Sequence, residues 1–273
     1  MLWTRAKAIL IAVLLLVNLF LFGIAASIQN QKVRLSDSYL DDAVVQLGLA
    51  GVQIDRAVLP DRRCFLPQIT ISSREMLVPL ARALLEDAAL EPLSEPEGNR
   101  YENDFGSVVL QQEGLLLYRP QEPPVEVGAL LRPLEQAGFD KNDLVPSEVA
   151  DALQLLVAGV PVDGCGLLLR GGEIYGRLLL TGTRETVYKT LLDPPNALLR
   201  FAAETAELPA AERQIILMET VYQLQQGGRY SSLILTPAYR ITTPSGVWLV
   251  GAQSGTVDKA SPPLDEALPD AVS

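Results

Sequence analysis

A run of nineteen residues near the start of the chain limits the fold more than any other feature of the sequence. Residues 8–26 carry no charged side chain, and Asn18 is the one strongly polar residue among them. A helix of this length, at about 1.5 Å per residue, nearly matches the roughly 30 Å hydrocarbon core of a bilayer. The pattern predicts a single transmembrane helix at 8–28, preceded by a cytoplasmic tail at 1–7.

The flanking residues indicate an orientation for this helix. Arg5 and Lys7 precede it and Trp3 lies where an interfacial aromatic residue would, so the positive-inside rule predicts a cytoplasmic N-terminus. A cleaved signal peptide is the alternative, with small residues between Gly23 and Ser27, but its apolar region is usually shorter than this one. In both cases we expect the bulk of the chain to be extracytoplasmic, and the first case makes it a single-pass protein of the cell membrane.

Three residues within the predicted span are candidates for contacts with partner helices. The Asn18 amide needs a hydrogen-bond partner in hydrocarbon, which a neighbouring helix can supply unless the amide bonds to its own helix. Ala8 and Ala12 form a pair of small residues that permits close approach of another helix. Because Asn18 lies on a different side of the helix from the alanines, we expect them to meet different neighbours.

Two later segments match each other at an offset of 108 residues. Residues 40–55 and 148–163 are identical at six of sixteen positions, among them the glycines Gly51 and Gly159. Each copy has a helical pattern that ends at its glycine and continues as an alternating strand pattern, and Ser36 is a candidate N-cap for the first helix. The match predicts an α+β fold with two small, duplicated domains and antiparallel sheets, although two ordinary helix–strand units could match by coincidence.

The remaining patterns place the boundaries of these domains. We expect one α+β domain at 30–122 and a second at 147–257, each with the order helix, strand, strand, helix, strand, strand. The proline-rich residues 123–146 are expected to form a linker with one short helix, and residues 258–273 a disordered tail. Further predicted elements are helices at 72–90 and 211–228, and hairpin turns near Gly114 and at Gly171 and Gly172.

Composition and motifs argue against most kinds of catalysis. The chain has no histidine, the usual general base and zinc ligand, and its 33 acidic against 22 basic residues would repel a nucleic acid. The carboxylates of Asp41 and Asp42, and of Glu86 and Asp87, are adjacent in sequence and therefore diverge on a helix. No serine hydrolase motif accompanies the lysines. We expect a protein that is not an enzyme, with no metal, no cofactor and no nucleic-acid partner.

Cys64 and Cys165 are the two cysteines of the chain. In an oxidising compartment they could form a disulfide, which would close a loop of about 100 residues and add about 4–5 kcal/mol of stability. Two independent buried thiols are at least as consistent with their positions in separate predicted domains. The sequence leaves both alternatives open.

Both ends of the chain carry family-like patterns. The opening contains Trp3, Arg5-Ala6-Lys7 and the stretch Val17–Leu21, and the closing residues 218–228 and 235–257 combine a Val-Tyr segment with a Pro-Ala-aromatic-Arg-Ile strand and a PepSY-like hairpin. These patterns resemble the two-component-system regulatory protein family YycI (WalI), which is related to YycH. Tyr239 stands where that family commonly has tryptophan, so we expect Tyr239 to serve as a buried apolar anchor.

The resemblance implies a function in signal transduction. It implies a membrane-anchored extracytoplasmic auxiliary regulator of an essential cell-wall sensor histidine kinase of the YycG (WalK) type. Its partners would be that kinase and a YycH-like single-span protein, bound through the transmembrane helix and the outer domains. The alternative is a PepSY-like module, secreted or anchored, that inhibits a protease or binds a cell-wall component.

Overall fold

The chain folds mainly into strands, which short helices cover on parts of their surface. The computed structural model describes residues 14–22, 33–71, 78–87, 89, 91–95, 98–111, 115–122, 126–140, 142–147, 151–179, 184–226 and 233–260. The helices labelled below are α1 (Asp37–Leu49), α2 (Val78–Leu84), α3 (Leu131–Gln136) and α4 (Pro194–Glu204), with 3₁₀ turns at Val127–Leu130 and Ala210–Arg213.

Fourteen of the described strands form one hydrogen-bonded sheet with two halves. The middle half-sheet consists of β3 (Leu93–Glu95), β4 (Gly98–Asn103), β5 (Gly106–Gln111), β6 (Leu115–Pro120), β7 (Leu144–Pro146), β8 (Ala152–Val157), β9 (Val160–Arg170) and β10 (Glu173–Arg177). The terminal half-sheet consists of β2 (Gln68–Ile71), β11 (Arg184–Val187), β13 (Leu217–Gln226), β14 (Leu233–Thr243), β15 (Gly246–Gly251) and β16 (Val257–Lys259). A separate parallel pair joins β1 (Gln53–Ile54) to β12 (Gln214–Ile215).

The two half-sheets meet at one narrow point. Strands β9 and β13 run parallel there, with Val162 opposite Tyr222 as the paired residues. Both side chains are fully buried. The apolar core has two main clusters. The middle core lies under α2 and α3 and extends to buried residues of β2, β13 and β14 in the terminal half-sheet, and the terminal core lies under α1 and α4.

The terminal half-sheet takes strands from both ends of the described chain. Strand β2 lies between β11 and β14, so that Ile69 is opposite Thr186 on one side and Leu235 on the other. Helix α1 packs beside α4 over the terminal core. Residues 53–71, expected in a first domain, therefore pair with strands that follow residue 184.

The predicted duplication is wrong, because the two matching segments have different structures. Residues 37–49 form helix α1, with buried Leu40, Ala43 and Leu47 at helical spacing. Residues 152–157 form strand β8 instead, where every second side chain is buried. The fold is a mixed α+β arrangement with one continuous sheet rather than two small repeated domains.

The shared glycine explains why the two segments look alike in sequence. Gly51 has a φ of 79° at the end of α1, and Gly159 has a φ of 77°. In the second segment Ala158 also has positive φ, and the two residues form the tight turn between β8 and β9. A left-handed glycine suits both a helix C-terminus and a two-residue hairpin, so the glycine alone does not distinguish them.

The predicted helix at 211–228 is also wrong. A short 3₁₀ turn ends at Arg213, and residues 217–226 form strand β13, which pairs along its whole length with β14. Thr220, Val221 and Tyr222 are residues that favour strands, and pairing on a long neighbour outweighs the helix propensity of the surrounding Gln and Leu residues.

The predicted transmembrane helix at 8–28 is not supported by the described chain. Residues 14–22 are helical, but no helix among the described residues is both long enough and apolar enough to cross a membrane. Residues 8–13 and 23–28 of that prediction lie outside the described residues.

Other local predictions are confirmed. Ser36 caps α1 by accepting a hydrogen bond from the Tyr39 amide, 3.3 Å away. Gly171 and Gly172, with φ of 62° and 85°, form the turn between β9 and β10. Strands β5 and β6 pair as predicted, although the predicted turn near Gly114 lies outside the described residues, and β14 and β15 form the predicted closing pair. Strand β16 extends into the segment predicted as a tail, whose residues 261–273 lie outside the described ranges.

Candidate functional site

The N-terminal helical residues 14–22 form the most apolar exposed surface of the described chain. All eight apolar side chains of this stretch are at least 49% exposed. Asn18, the predicted partner contact, is exposed among them. The other predicted contacts, Ala8 and Ala12, and the predicted interfacial residues Trp3, Arg5 and Lys7, lie outside the described residues.

Tyr239 has the role predicted for it. Its side chain lies on β14 in the terminal core and is 1% exposed. Its hydroxyl donates a hydrogen bond to the backbone carbonyl of Leu192, 2.7 Å away. Burial raises the pKa of Tyr239, and the neighbouring Cys64 and Asp193 act in the same direction. The hydrogen bond from the neutral Tyr239 phenol therefore connects β14 with the segment that leads into α4.

Asp193 connects α1 with α4. Its Oδ1 accepts a hydrogen bond from the Asn196 amide, 3.0 Å away, and caps α4. Its Oδ2 accepts a hydrogen bond from the Tyr39 hydroxyl of α1, 3.1 Å away. A capping carboxylate already occupies the N-terminus of α4. The hydrogen bonds of Asp193 therefore connect two helices and do not form a binding site.

A partly buried ion pair spans the junction of the two half-sheets. Asp163 on β9 is 11% exposed, and its Oδ1 lies 3.9 Å from the Nη1 of Arg240 on β14. Burial raises the pKa of Asp163, while Arg240 opposes that change. The long separation and the 31% exposure of Arg240 make the pair weak. Sequence reasoning missed this pair, although an aspartate inside an apolar strand pattern was a usable signal.

The Asp163 carboxyl gives the protein a testable pH dependence. The pKa of Asp163 is higher in the folded protein than in the unfolded chain. The contribution of the Asp163 carboxyl to the free energy of unfolding is therefore full below the ordinary pKa of 3.8 and is lost as the pH rises. We expect Asp163→Asn to gain stability relative to wild type as the pH rises above about 4. Urea unfolding at a series of pH values measures the difference. The exposed Asp42→Asn variant is the matched control, and parallel curves for the two variants would contradict the expectation.

The disulfide considered for Cys64 and Cys165 does not form, since both thiols are free. Cys64 packs beside the terminal core and Cys165 lies in the middle core, so they belong to different packing units. Burial raises the pKa of Cys165 to about 12; Arg177 opposes that change and Asp163 adds to it. A thiol with this pKa stays protonated at neutral pH and is a poor nucleophile.

The carboxylate pairs do not form an acid–base site. Asp41 is engaged by Arg56, with 3.4 Å between Oδ1 and Nε, while Asp42 is exposed. Glu86 and Asp87 lie at the rim of an open cleft of about 750 Å³ between α2 and α3. Its lining is of mixed charge and consists of Pro79, Arg82, Ala83, Glu86, Asp87, Ala129, Arg132, Pro133 and Gln136. Nothing in this cleft selects one kind of ligand.

Strand β11 presents the other unusual surface. It is an edge strand that pairs with β2 alone among the described strands. Residues 185–190 are all exposed, including Val187 at 49% and Tyr188 at 75%. Sequence reasoning missed this edge because it assigned no strand there.

Comparison with known proteins does not assign the chain to a family. No protein-family model matches the chain, and no curated protein matches it. Among the described residues, no group of three or more His, Cys, Asp or Glu side chains is arranged to hold a metal ion.

Proposed function

We propose that the protein is an extracytoplasmic auxiliary regulator of a cell-wall sensor histidine kinase of the YycG (WalK) type, and that it acts by binding other proteins. The opening residues Trp3, Arg5-Ala6-Lys7 and Val17–Leu21, together with the closing residues 235–257, support the proposal through their resemblance to the YycI family. A YycH-like protein is the second proposed partner.

The observation that carries this proposal is the exposed apolar stretch 14–22. Its apolar side chains belong to neither of the two main cores. An exposed apolar patch of this kind marks an association surface, because leaving it in water costs free energy. The same stretch contains the residues that resemble the family's opening.

The closing strands offer further support. Residues 235–257 form the centre of the terminal half-sheet, with Tyr239 as a buried anchor in place of the family's tryptophan. The buried thiol of Cys165 and the weak Asp163–Arg240 pair offer no reaction chemistry.

A regulator of this type must bind one signalling state of the kinase better than the other, because only differential affinity shifts an equilibrium.

Affinity purification of the tagged full-length protein from its native membranes in mild detergent tests the proposal. We expect mass spectrometry to identify a sensor histidine kinase together with a YycH-like protein. Recovery of the protein alone, or with a cell-wall protease, would contradict the regulatory function and favour the inhibitor module. Phosphorylation of the response regulator, compared with and without the gene, provides a second readout.

A pair of matched variants locates the contact. Asn18→Leu removes the only amide of the stretch 14–22, whereas Val17→Leu changes its neighbour without removing a polar group. We expect less kinase to be recovered with Asn18→Leu and the wild-type amount with Val17→Leu. Equal recovery with both variants would remove Asn18 from the interface.

A further inference from the structure

A short antiparallel ribbon of residues 33–35 and 61–63, which we call the basic ribbon, holds two arginines side by side. Two backbone hydrogen bonds, of 2.8 and 2.9 Å, join its two segments. Arg34 lies opposite Arg62 between these bonds. In an antiparallel ladder this is the pair without mutual hydrogen bonds, in which the Cα atoms are only about 4.5 Å apart and the side chains lie on the same face.

This arginine pair is unfavourable by itself. Like charges that lie directly opposite each other across two strands destabilise the strand pair. Among the described residues, one carboxylate engages the two arginines: the Oδ2 of Asp61 lies 3.4 Å from the Nε of Arg34. The side chains of Arg34 and Asp61 are 64% and 45% exposed, so their ion pair is weak. The two guanidinium groups therefore favour a further anion beside them.

The neighbouring charges leave the basic ribbon positive in an acidic protein. Arg63 is a third exposed arginine, so the ribbon carries three basic residues and one acidic residue. The carboxylates of Asp37 and Asp41 on α1 are both engaged by Arg56, at 3.2 and 3.4 Å. The whole chain has 33 acidic and 22 basic residues. A local excess of arginine in such a chain indicates an anionic partner.

The surroundings of the basic ribbon favour a lipid surface as the source of this anion. Its three arginines are exposed, so they present an open surface and do not enclose a free ion. Phe65 follows the ribbon and is 58% exposed. Exposed aromatic residues beside basic ones are typical of proteins that contact lipid headgroups, because the ring enters the apolar boundary while the cations stay at the phosphates.

The position of the basic ribbon in the chain agrees with this partner. Arg34 comes twelve positions after Phe22, which is the last described residue of the exposed apolar stretch 14–22. That stretch also favours an apolar environment over water. A lipid surface satisfies both features, whereas a free phosphate ion offers nothing to Phe65 or to the apolar stretch.

We propose that the basic ribbon, together with Phe65, binds the phosphate groups of anionic phospholipids at the surface of a membrane. The planar guanidinium groups of Arg34 and Arg62 match the oxygens of a phosphate, and one phosphate beside both replaces a repulsion by two attractions. This inference does not depend on the proposed function, because the contact orients the protein on a membrane with or without a kinase partner.

A fluorescent label at residue 65 of the full-length protein tests the contact. Phe65→Cys is labelled with a polarity-sensitive dye and placed in nanodiscs of phosphatidylcholine, or of an equal mixture of phosphatidylcholine and phosphatidylglycerol. We expect the emission to shift to shorter wavelength in the anionic nanodiscs, and the shift to decrease as salt is added. The wild-type protein treated with the same dye measures any background from Cys64 and Cys165.

Two double variants, each combined with the label, show whether the arginine pair is responsible. Arg34→Gln/Arg62→Gln removes the pair, and we expect the shift in emission to disappear. Arg132→Gln/Arg170→Gln removes two exposed arginines elsewhere, on α3 and at the end of β9, and is the matched control. It changes the net charge by the same amount and should keep the shift.

Thermal unfolding distinguishes a lipid phosphate from a free one. In micelles of a neutral detergent, we expect added phosphatidylglycerol to raise the midpoint of the wild-type protein by about 2 °C. The same concentration of inorganic phosphate should leave the midpoint unchanged. The midpoint of Arg34→Gln/Arg62→Gln should respond to neither addition. Its melting curve without lipid also checks that the variant is folded.

Three results would overturn the proposal. They are equal emission of the label in the two kinds of nanodisc, loss of the shift in the control variant as well, and equal stabilisation by inorganic phosphate and by lipid. If the emission is equal and an acidic protein is recovered with wild type but not with Arg34→Gln/Arg62→Gln, the ribbon binds a protein instead. Recovery of a sensor kinase alongside any of these results would reject the lipid contact and leave the proposed function standing.

Discussion

Replacement of Tyr239 by alanine should lower the free energy of unfolding by about 3–5 kcal/mol. The side chain is 1% exposed in the terminal core, and its removal leaves a cavity among the side chains of α1, α4 and β15. Truncation also leaves the Leu192 carbonyl without its 2.7 Å hydrogen bond. Thermal unfolding of the full-length protein should show a midpoint lower by about 10 °C.

Tyr239→Phe is the matched control for this prediction. It keeps the ring in the core and loses only the hydrogen bond to Leu192, which is worth about 1 kcal/mol. The difference between the two variants therefore measures the packing of the ring. If the alanine and phenylalanine variants melt at the same temperature, Tyr239 is not an anchor of the terminal core.

Replacement of Gly176 by alanine should have an effect of similar size in the middle half-sheet. A β-carbon at Gly176 would overlap the carbonyl oxygen of Gly166 on β9 and would lie 2.8 Å from a methyl carbon of Leu167. Backbone atoms cannot move aside as the end of a flexible side chain can. We expect a loss of about 3 kcal/mol in the free energy of unfolding, measured by urea titration.

Gly171→Asn is the control for the glycine prediction. Gly171 lies in the exposed turn between β9 and β10, where a β-carbon would meet no atom within 4 Å and φ is 62°. Asparagine tolerates this left-handed conformation, so the variant should lose less than about 1 kcal/mol. Equal losses for the two variants would show that close approach of the strands at Gly176 has no special cost.

Local signals in the sequence predicted parts of the fold well. The Ser36 cap, the paired glycines of the β9–β10 turn and the closing pair of strands β14 and β15 each depend on neighbours a few positions away, and each prediction is confirmed. Helix α4 was missed although Asp193 followed by Pro194 and Pro195 is a strong start signal.

The errors come from elements whose structure depends on distant residues. Strand β13 is specified by its pairing with β14, and the burial pattern of β8 is specified by β7 and β9 on its two sides. Leu, Gln and Ala in these segments are compatible with a helix when considered alone. The Asp163–Arg240 pair escaped notice for the same reason, because its members are on strands far apart in sequence.

The position of β2 in the terminal half-sheet also determines the order in which this protein can fold. Ile71 pairs with Leu233, which lies 162 positions further along the chain. During synthesis β2 can pair with β11 once residues 184–187 have been made, but its pairing with β14 must wait for Leu233, and contacts between residues so distant in sequence slow folding. Helix α1 and β2 therefore lack their later neighbours during much of synthesis, and a chain that ends before Leu233 leaves one edge of β2 unpaired and open to proteases and aggregation.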